Sequence, residues 1–197
     1  MKNCELISNA TEAFRNFMSR RGNTSDMRDL IVRISVTKPN SPMEVALENL
    51  KSIHLSTLVL CKTKVVKKHH PIMRLEIATF ECVGCGTKIE MLQTSIRVKK
   101  PSSCPNSRCY SKDGSDFRLV SAESYFYDYQ VITVQQAEKK MKVVMTHDLV
   151  DLAEIGDTIE ILGIYTTEYE HSETVKKDSF YRGIIEANNI KVLPSKL

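Results

Sequence analysis

Phe80-Glu81-Cys82-Val83-Gly84-Cys85-Gly86 sets two cysteines around a two-residue spacer, and Cys104-Pro105-Asn106-Ser107-Arg108-Cys109 supplies a second pair after an 18-residue interval. Gly84 and Gly86 permit the positive φ that turns backbone amides toward the sulfurs of a tight knuckle. Tetrahedral zinc needs that knuckle twice. Cys82, Cys85, Cys104 and Cys109 therefore read as the ligands of one structural Zn2+ per chain. Four thiolates close the coordination shell, so no position is left for an activated water and no metal catalysis is expected. The alternatives are an iron site of rubredoxin type, which uses the same ligand set, and four unligated cysteines. Cys4 and Cys61 have no spaced partner, and Cys61 in Leu58-Val59-Leu60-Cys61 reads as a core side chain.

On either side of the cysteines the chain is rich in β-branched and aromatic residues. Thr57 to Val66, Ile72 to Phe80, Phe117 to Tyr125, Gln130 to Gln135, Lys142 to Met145, Thr158 to Tyr165 and Phe180 to Val192 all read as strands. They are too many and too short for alternating helix and strand. With turn signals at His70-Pro71, Asp113-Gly114 and Gly156-Asp157, they predict a compact antiparallel barrel of about five main strands, interrupted by the cysteine segment. Before Ser56 the pattern is helical: Ile7, Ala10, Phe14, Phe17 and Met18 share a stripe. Ser41-Pro42-Met43-Glu44 reads as the cap of a second helix that buries Val45, Ala46, Leu47 and Leu50, with Leu30 to Val36 as a short extended piece between the two. The fold class is α+β, mostly β. The expected division is a helical subdomain at 1–55, a barrel from 56–81 and 117–197, and a zinc-binding module at 82–116.

The chain has 197 residues, 42% hydrophobic and 26% charged, with 7 Gly and 6 Pro, the balance of a folded chain without long disordered tracts. Residues 1–30 lack the apolar core of a signal peptide, and no apolar run approaches the ~20 residues that span a bilayer. An intracellular protein without a membrane partner is expected, cytoplasmic or nucleoid-associated in a prokaryote and nuclear in a eukaryote. The net charge of +4 is modest but clumped. Lys62, Lys64, Lys67 and Lys68 form one cluster; Arg97, Lys99 and Lys100 another; Lys139, Lys140 and Lys142 a third; Lys176 and Lys177 a fourth. In the first, lysines that guard an exposed edge strand compete evenly with a DNA contact. The last lies near the tip of a hairpin at about 165–182, whose arms are Tyr165-Thr166-Thr167-Glu168-Tyr169 and Ser179-Phe180-Tyr181-Arg182. His171-Ser172-Glu173 follows the cysteines and no Pro-Cys-x-x-Cys occurs, which argues against a zinc deaminase.

Helical unit, barrel, inserted Cys4 module, acidic turn and basic hairpin together resemble the N-terminal domain of minichromosome maintenance (MCM) replicative helicases. The resemblance spans nearly the whole chain. It rests on Phe80 to Gly86, Pro101-Ser102-Ser103-Cys104, Asp128-Tyr129-Gln130-Val131-Ile132-Thr133-Val134-Gln135-Gln136, Asp148-Leu149-Val150-Asp151, and Gly156-Asp157 through Gly163-Ile164-Tyr165. It implies an OB-type barrel and a ring, usually hexameric, around single- or double-stranded DNA held with little sequence preference. It also implies zinc modules that mediate contacts between rings. By the same resemblance Lys176 and Lys177 face the channel, with Arg97, Lys99 and Lys142 as further DNA contacts.

Two departures are visible. Most family members carry a longer loop ending in Pro-Arg after the glutamines, whereas only Ala137-Glu138-Lys139-Lys140-Met141 stands here. No Gly-x-x-x-x-Gly-Lys-Ser/Thr phosphate loop occurs in this sequence, so ATP hydrolysis needs a separate AAA+ motor domain, as in a truncated chain or a relative without the motor. The competing expectation is a zinc-ribbon and OB module that binds protein or RNA in transcription or RNA processing. An enzyme with zinc at its centre is disfavoured by the closed cysteine shell.

Overall fold

The computed structural model describes residues 31–36, 43–94, 97–110, 116–169 and 181–194. The expected helix at Ile7–Met18, the Ser41-Pro42 cap, the Asp113-Gly114 turn and the Lys176-Lys177 tip lie outside these residues. Among the described residues eight strands form: β1 Leu58–Lys68, β2 Ile72–Cys82, β3 Lys88–Leu92, β4 Phe117–Leu119, β5 Tyr125–Gln136, β6 Lys139–Thr146, β7 Thr158–Tyr169 and β8 Tyr181–Leu193. They divide between two compact units, Met1–Pro71 with Gln130–Leu197, and Ile72–Tyr129. Among the described residues no helix is long and apolar enough to cross a membrane.

The first unit closes on itself. β1 pairs with β7 from Leu58↔Ile164 to Lys64↔Thr158, and then with β5 from Lys64↔Gln135 to Lys68↔Ile132. β7 pairs with β8 from Thr158↔Leu193 to Tyr169↔Tyr181. β8 lies parallel to β6 from Lys142↔Ile184 to Val144↔Glu186, and β6 neighbours β5. The circuit β1-β7-β8-β6-β5-β1 is the five-stranded Greek-key barrel of the OB type. The expectation of a wholly antiparallel barrel is corrected at β6–β8, and the reason is parity: a ring with an odd number of strands cannot alternate direction at every pair. Strand alternation fills the interior. Val59, Cys61, Val65, Ile132, Val134, Met141, Val143, Met145, Ile159, Ile161 and Ile185 are all buried in one cluster. Cys61 is a core residue, its thiol donating to Val45 O at 3.1 Å while burial pushes it up to about 12.

Two irregularities shape the barrel wall. β1 bulges between Val65 and Lys67, so the outward phase of Lys62 and Lys64 passes to Lys67 and not to Val66. β8 bulges at Asn188, opposite the Leu162/Gly163 step of β7, where a Cβ on Gly163 would stand 2.5 Å from Glu186 O. Beside the barrel mouth a fully buried polar side chain joins three chain segments. Gln130 Nε2 donates to His69 O and to Asp151 Oδ1, both at 2.9 Å, and its Oε1 accepts from Asp151 N at 3.0 Å. Lys68 Nζ completes the knot with Asp151 at 2.8 Å and Glu154 at 2.7 Å.

The helix expected over Val45–Leu50 does not form. Leu60 N donates to Met43 O at 2.8 Å and Val45 N to Leu60 O at 3.0 Å, so this segment runs beside β1 before a single 3₁₀ turn at Leu47–Asn49. Gln136 Oε1 takes the Leu47 amide at 2.6 Å. The backbone groups a helix would pair internally are thus claimed by the barrel, while Leu47 and Leu50 still bury their side chains in its core. Residues 31–36 form an extended strap without strand pairing. Asn188 grips it through Ile34 N at 2.7 Å and Val32 O at 3.1 Å, and Asn189 through Ile34 O at 2.8 Å. Arg33 reaches Thr146 O, Asn188 O and the Asp148 carboxylate, which its hydrogen bonds hold below the usual carboxylate range.

In the second unit β2 is the centre. It pairs with β5 from Ile72↔Tyr129 to Ile77↔Tyr125, with β3 from Ile77↔Leu92 to Glu81↔Lys88, and with β4 from Phe80↔Leu119 to Cys82↔Phe117. The strand expected over Phe117–Tyr125 breaks into β4, a 3₁₀ turn at Ser121–Glu123 and the start of β5. Thr79 anchors the break through Glu123 O at 2.8 Å and Ser124 Oγ at 3.0 Å. β3 was not anticipated, because Lys-Ile-Glu-Met-Leu is short and two of its residues are charged. The buried core of this unit is small: Ala78, Phe80, Cys82 and Phe117.

Candidate metal centre and nucleic-acid interface

β2 ends at Cys82, and its backbone turns at once. Gly86 N donates to Cys82 O at 2.8 Å and Cys82 N to Thr87 O at 2.9 Å, with Gly86 at φ +71°. This knuckle swings Cys85 back beside Cys82. The second knuckle rests on Asn106, whose O accepts Cys109 N at 2.9 Å and whose Oδ1 accepts Arg108 N at 3.1 Å. The four sulfurs lie within 4.8 Å of one another, with Cys82–Cys109 at 3.7 Å and Cys85–Cys104 at 3.5 Å. A disulfide would need about 2.05 Å. A tetrahedron of sulfurs about 2.3 Å from a central zinc has edges of about 3.8 Å, so both measured pairs have the spacing of ligands and not of a bond. These four cysteines could hold one metal ion.

The environment prepares the thiols unequally. Hydrogen bonds from the Thr87 hydroxyl and amide lower the Cys85 thiol to about 6, and loss of hydration raises Cys104 to about 11. Thr87, not singled out from sequence, is thus the group that favours a thiolate in this cluster. Val83 and Tyr110 stand on the same module at 73% and 93% exposure.

The expected DNA contacts fall in different parts of the chain. Arg97 and Lys99 belong to the Ile72–Tyr129 unit, exposed in a loop that Gln93 holds by accepting Lys99 N at 2.8 Å and donating to Lys99 O at 3.1 Å. Lys142 is exposed on β6, but its Nζ pairs with Glu168 Oε2 at 2.7 Å. Lys176 and Lys177 lie outside the described residues, between arms that pair as far as Glu168↔Arg182 and Tyr169↔Tyr181. In the first basic cluster Lys62 pairs with Glu44 at 3.1 Å, and Lys68 turns to Asp151 and Glu154. Lys64 and Lys67 have no carboxylate partner among the described residues.

Comparison with known proteins agrees with this architecture. A family model described as the MCM OB domain matches residues 46–169. The chain is 28% identical over 174 residues to DNA replication licensing factor MCM2 of Oryza sativa subsp. japonica, covering 83% of this chain and 18% of that protein. It is 30% identical over 176 residues to mcm2 of Schizosaccharomyces pombe, with 84% and 20% covered, and 25% identical over 139 residues to MCM6 of Arabidopsis thaliana, with 66% and 16% covered. The chain spans about a fifth of the length of these MCM2 relatives. It shares the fold of the N-terminal domain of an archaeal MCM, solved at 1.8 Å, with a TM-score of 0.66 at 23% identity over 77% of this chain and 62% of that one. With most of its length matched by the family model, this chain belongs to the MCM OB domain family.

Proposed function

We propose that this chain is the DNA-holding, ring-assembling N-terminal portion of an MCM-type ATP-dependent replicative helicase. The observation that carries the reading is the closed barrel order, which makes 170–180 the connection between its fourth and fifth strands. In an OB barrel the second and third strands and the connection between the fourth and fifth form the oligonucleotide-binding surface. Here those strands are β5 and β6, and the connection is 170–180, which contains Lys176 and Lys177. These two lysines hold phosphates in the central channel of the ring, with Arg97, Lys99 and Lys142 as further contacts. Lys142 shares its charge with Glu168, so its contribution is smaller.

Cys82, Cys85, Cys104 and Cys109 hold one structural Zn2+, which fits the soft sulfur donors and the measured spacing. The ion supports the fold of the module that carries Val83 and Tyr110, and these exposed side chains make the contacts between rings. ATP hydrolysis belongs to an AAA+ motor domain, since this sequence has no phosphate loop. The names of the relatives, DNA replication licensing factors, support a role in DNA replication, which in a eukaryotic cell would place this chain in the nucleus.

Sedimentation of the zinc-loaded protein with labelled single-stranded DNA, with K176A/K177A in parallel, tests this reading. The wild type should sediment as a multi-subunit assembly that captures DNA more weakly as salt rises, and the variant should assemble but capture less. A monomer indifferent to DNA would favour the protein- or RNA-interaction module instead.

A further inference from the structure

We infer that Tyr165 and Gly183 are positioning residues for the β7–β8 hairpin: the Tyr165 ring, seated in the barrel core, lies over Gly183 and fixes the direction in which the two arms leave the barrel. The inference rests on the reading in which the connection at 170–180 holds phosphates, and it names what aims that connection. Pairing marks the root of the hairpin. β1 stays beside β7 as far as Leu58↔Ile164. The chain just before β1 holds the next residue of β7, with Ser56 N donating to Tyr165 O at 2.8 Å and Tyr165 N to Thr57 O at 3.0 Å. β6 joins β8 only from Lys142↔Ile184 onward. Between these limits 166–169 and 181–183 pair with each other and, among the described residues, with no third strand.

A two-stranded ribbon twists and bends easily, so its aim is set where it is rooted. Gly183 lies across from Thr167, two residues from the Tyr165↔Ile185 pair, which puts Tyr165, Ile185 and the missing side chain of Gly183 on one face. The ring fills that space. A Cβ on Gly183 would fall on the Tyr165 hydroxyl and stand 2.6 Å from its Cε2 and Cζ. Tyr165 is 9% exposed and belongs to the barrel's buried cluster, as does Ile185. The core thus grips the ring at its base, while the outer end rests on the arm of β8 where barrel support stops. On the opposite face Lys142 of β6 reaches Glu168 at 2.7 Å, a second tie between barrel and ribbon.

A glycine inside a strand weakens it, because it brings backbone freedom and no side chain to pack. Covered by an aromatic ring from the neighbouring strand, Gly183 loses that freedom. Any side chain in its place would push the ring out of the core or the arm of β8 away from the ring, and either movement tilts the ribbon. A tilt of about 15° at the root moves Tyr169, four residues along at about 3.4 Å each, by roughly 3.5 Å. That is longer than the hydrogen bond between an ammonium group and a phosphate oxygen.

Fluorescence anisotropy of the intact chain with labelled oligothymidylate across a sodium chloride series tests the inference. K176A/K177A removes two phosphate contacts at about 0.7 each and should flatten the slope of log K against log salt by about 1.4. Gly183→Ala removes no charge, yet it should flatten the slope by up to about 1.4, and adding K176A/K177A to it should change the slope little further. A loss of stability alone would lower the fraction of binding-competent protein and leave the slope unchanged. Tyr165→Phe keeps the ring over Gly183 and should keep the wild-type slope. If Gly183→Ala fails to fold, Tyr165→Leu, which removes the ring and leaves an apolar group in the core, decides by the same slope. A wild-type slope in the folded variant, while K176A/K177A still lowers it, overturns the positioning role and leaves the hairpin's phosphate contacts standing. A wild-type slope in K176A/K177A, or no DNA binding by the wild type, overturns the reading of the hairpin and this inference with it.

Discussion

Replacing Cys82 with serine removes one sulfur from the cluster and tests what holds the Ile72–Tyr129 unit together. Its apolar core consists of Ala78, Phe80, Cys82 and Phe117, all nearly inaccessible. Burial of two phenylalanines and two small side chains is worth roughly 6–8 kcal/mol. Ordering the backbone opposes this by about 1–2 kcal/mol for every residue fixed, so a core of this size does not carry the unit by itself. A structural zinc contributes about 10–16 kcal/mol near neutral pH, more than these four buried side chains. C82S should therefore lose its metal and unfold Ile72–Tyr129, while the barrel, with its much larger buried cluster, keeps a cooperative melting transition. Metal content by mass spectrometry, combined with limited proteolysis and identification of the cut sites, reads both effects. The wild type should contain one zinc per chain, and the variant none, with new cuts confined to 72–129. Stoichiometric zinc in C82S would refute the ligand assignment, and protease resistance of the metal-stripped wild type over 72–129 would refute the energetic reasoning.

Gln130→Leu keeps the side-chain volume at a fully buried position but leaves His69 O and Asp151 N without their partner. Each stranded group costs about 1–3 kcal/mol, so urea unfolding should show a loss of about 2–5 kcal/mol, and a loss under about 1 kcal/mol would mean the knot is not a keystone. Gly163→Ala places a methyl 2.5 Å from Glu186 O in the β7–β8 bulge, where backbone and not a flexible side chain would have to yield. A loss of about 1–3 kcal/mol in the same assay is expected, and a neutral result would show that the bulge relaxes freely.

The sequence by itself determined the local chemistry of this protein. Cysteine spacing identified four residues that the fold gathers within 4.8 Å, because a knuckle's reach depends on a few adjacent residues and their glycines. Richness in β-branched and aromatic residues located β1, β2, β6, β7 and β8 to within a few positions, and the second half of β5, since residues that suit a pleated, half-buried surface mark a strand in its own composition. Three features were decided elsewhere in the chain. Val45–Leu50 has helical spacing but lies beside β1, where Leu60 and Gln136 take its amides. The parallel β6–β8 pair follows from closing a ring of five strands, which no single strand encodes. The fate of each lysine depended on register and on distant carboxylates: Lys62, Lys68 and Lys142 looked like their neighbours in sequence, yet Glu44, Glu154 and Glu168 neutralise them. The bulge at Val66 turned Lys67 outward and Lys68 toward the mouth. Charge can be counted along a chain, but which charges remain free for a ligand is a property of the folded surface, because Coulomb attraction acts through space and not along the backbone.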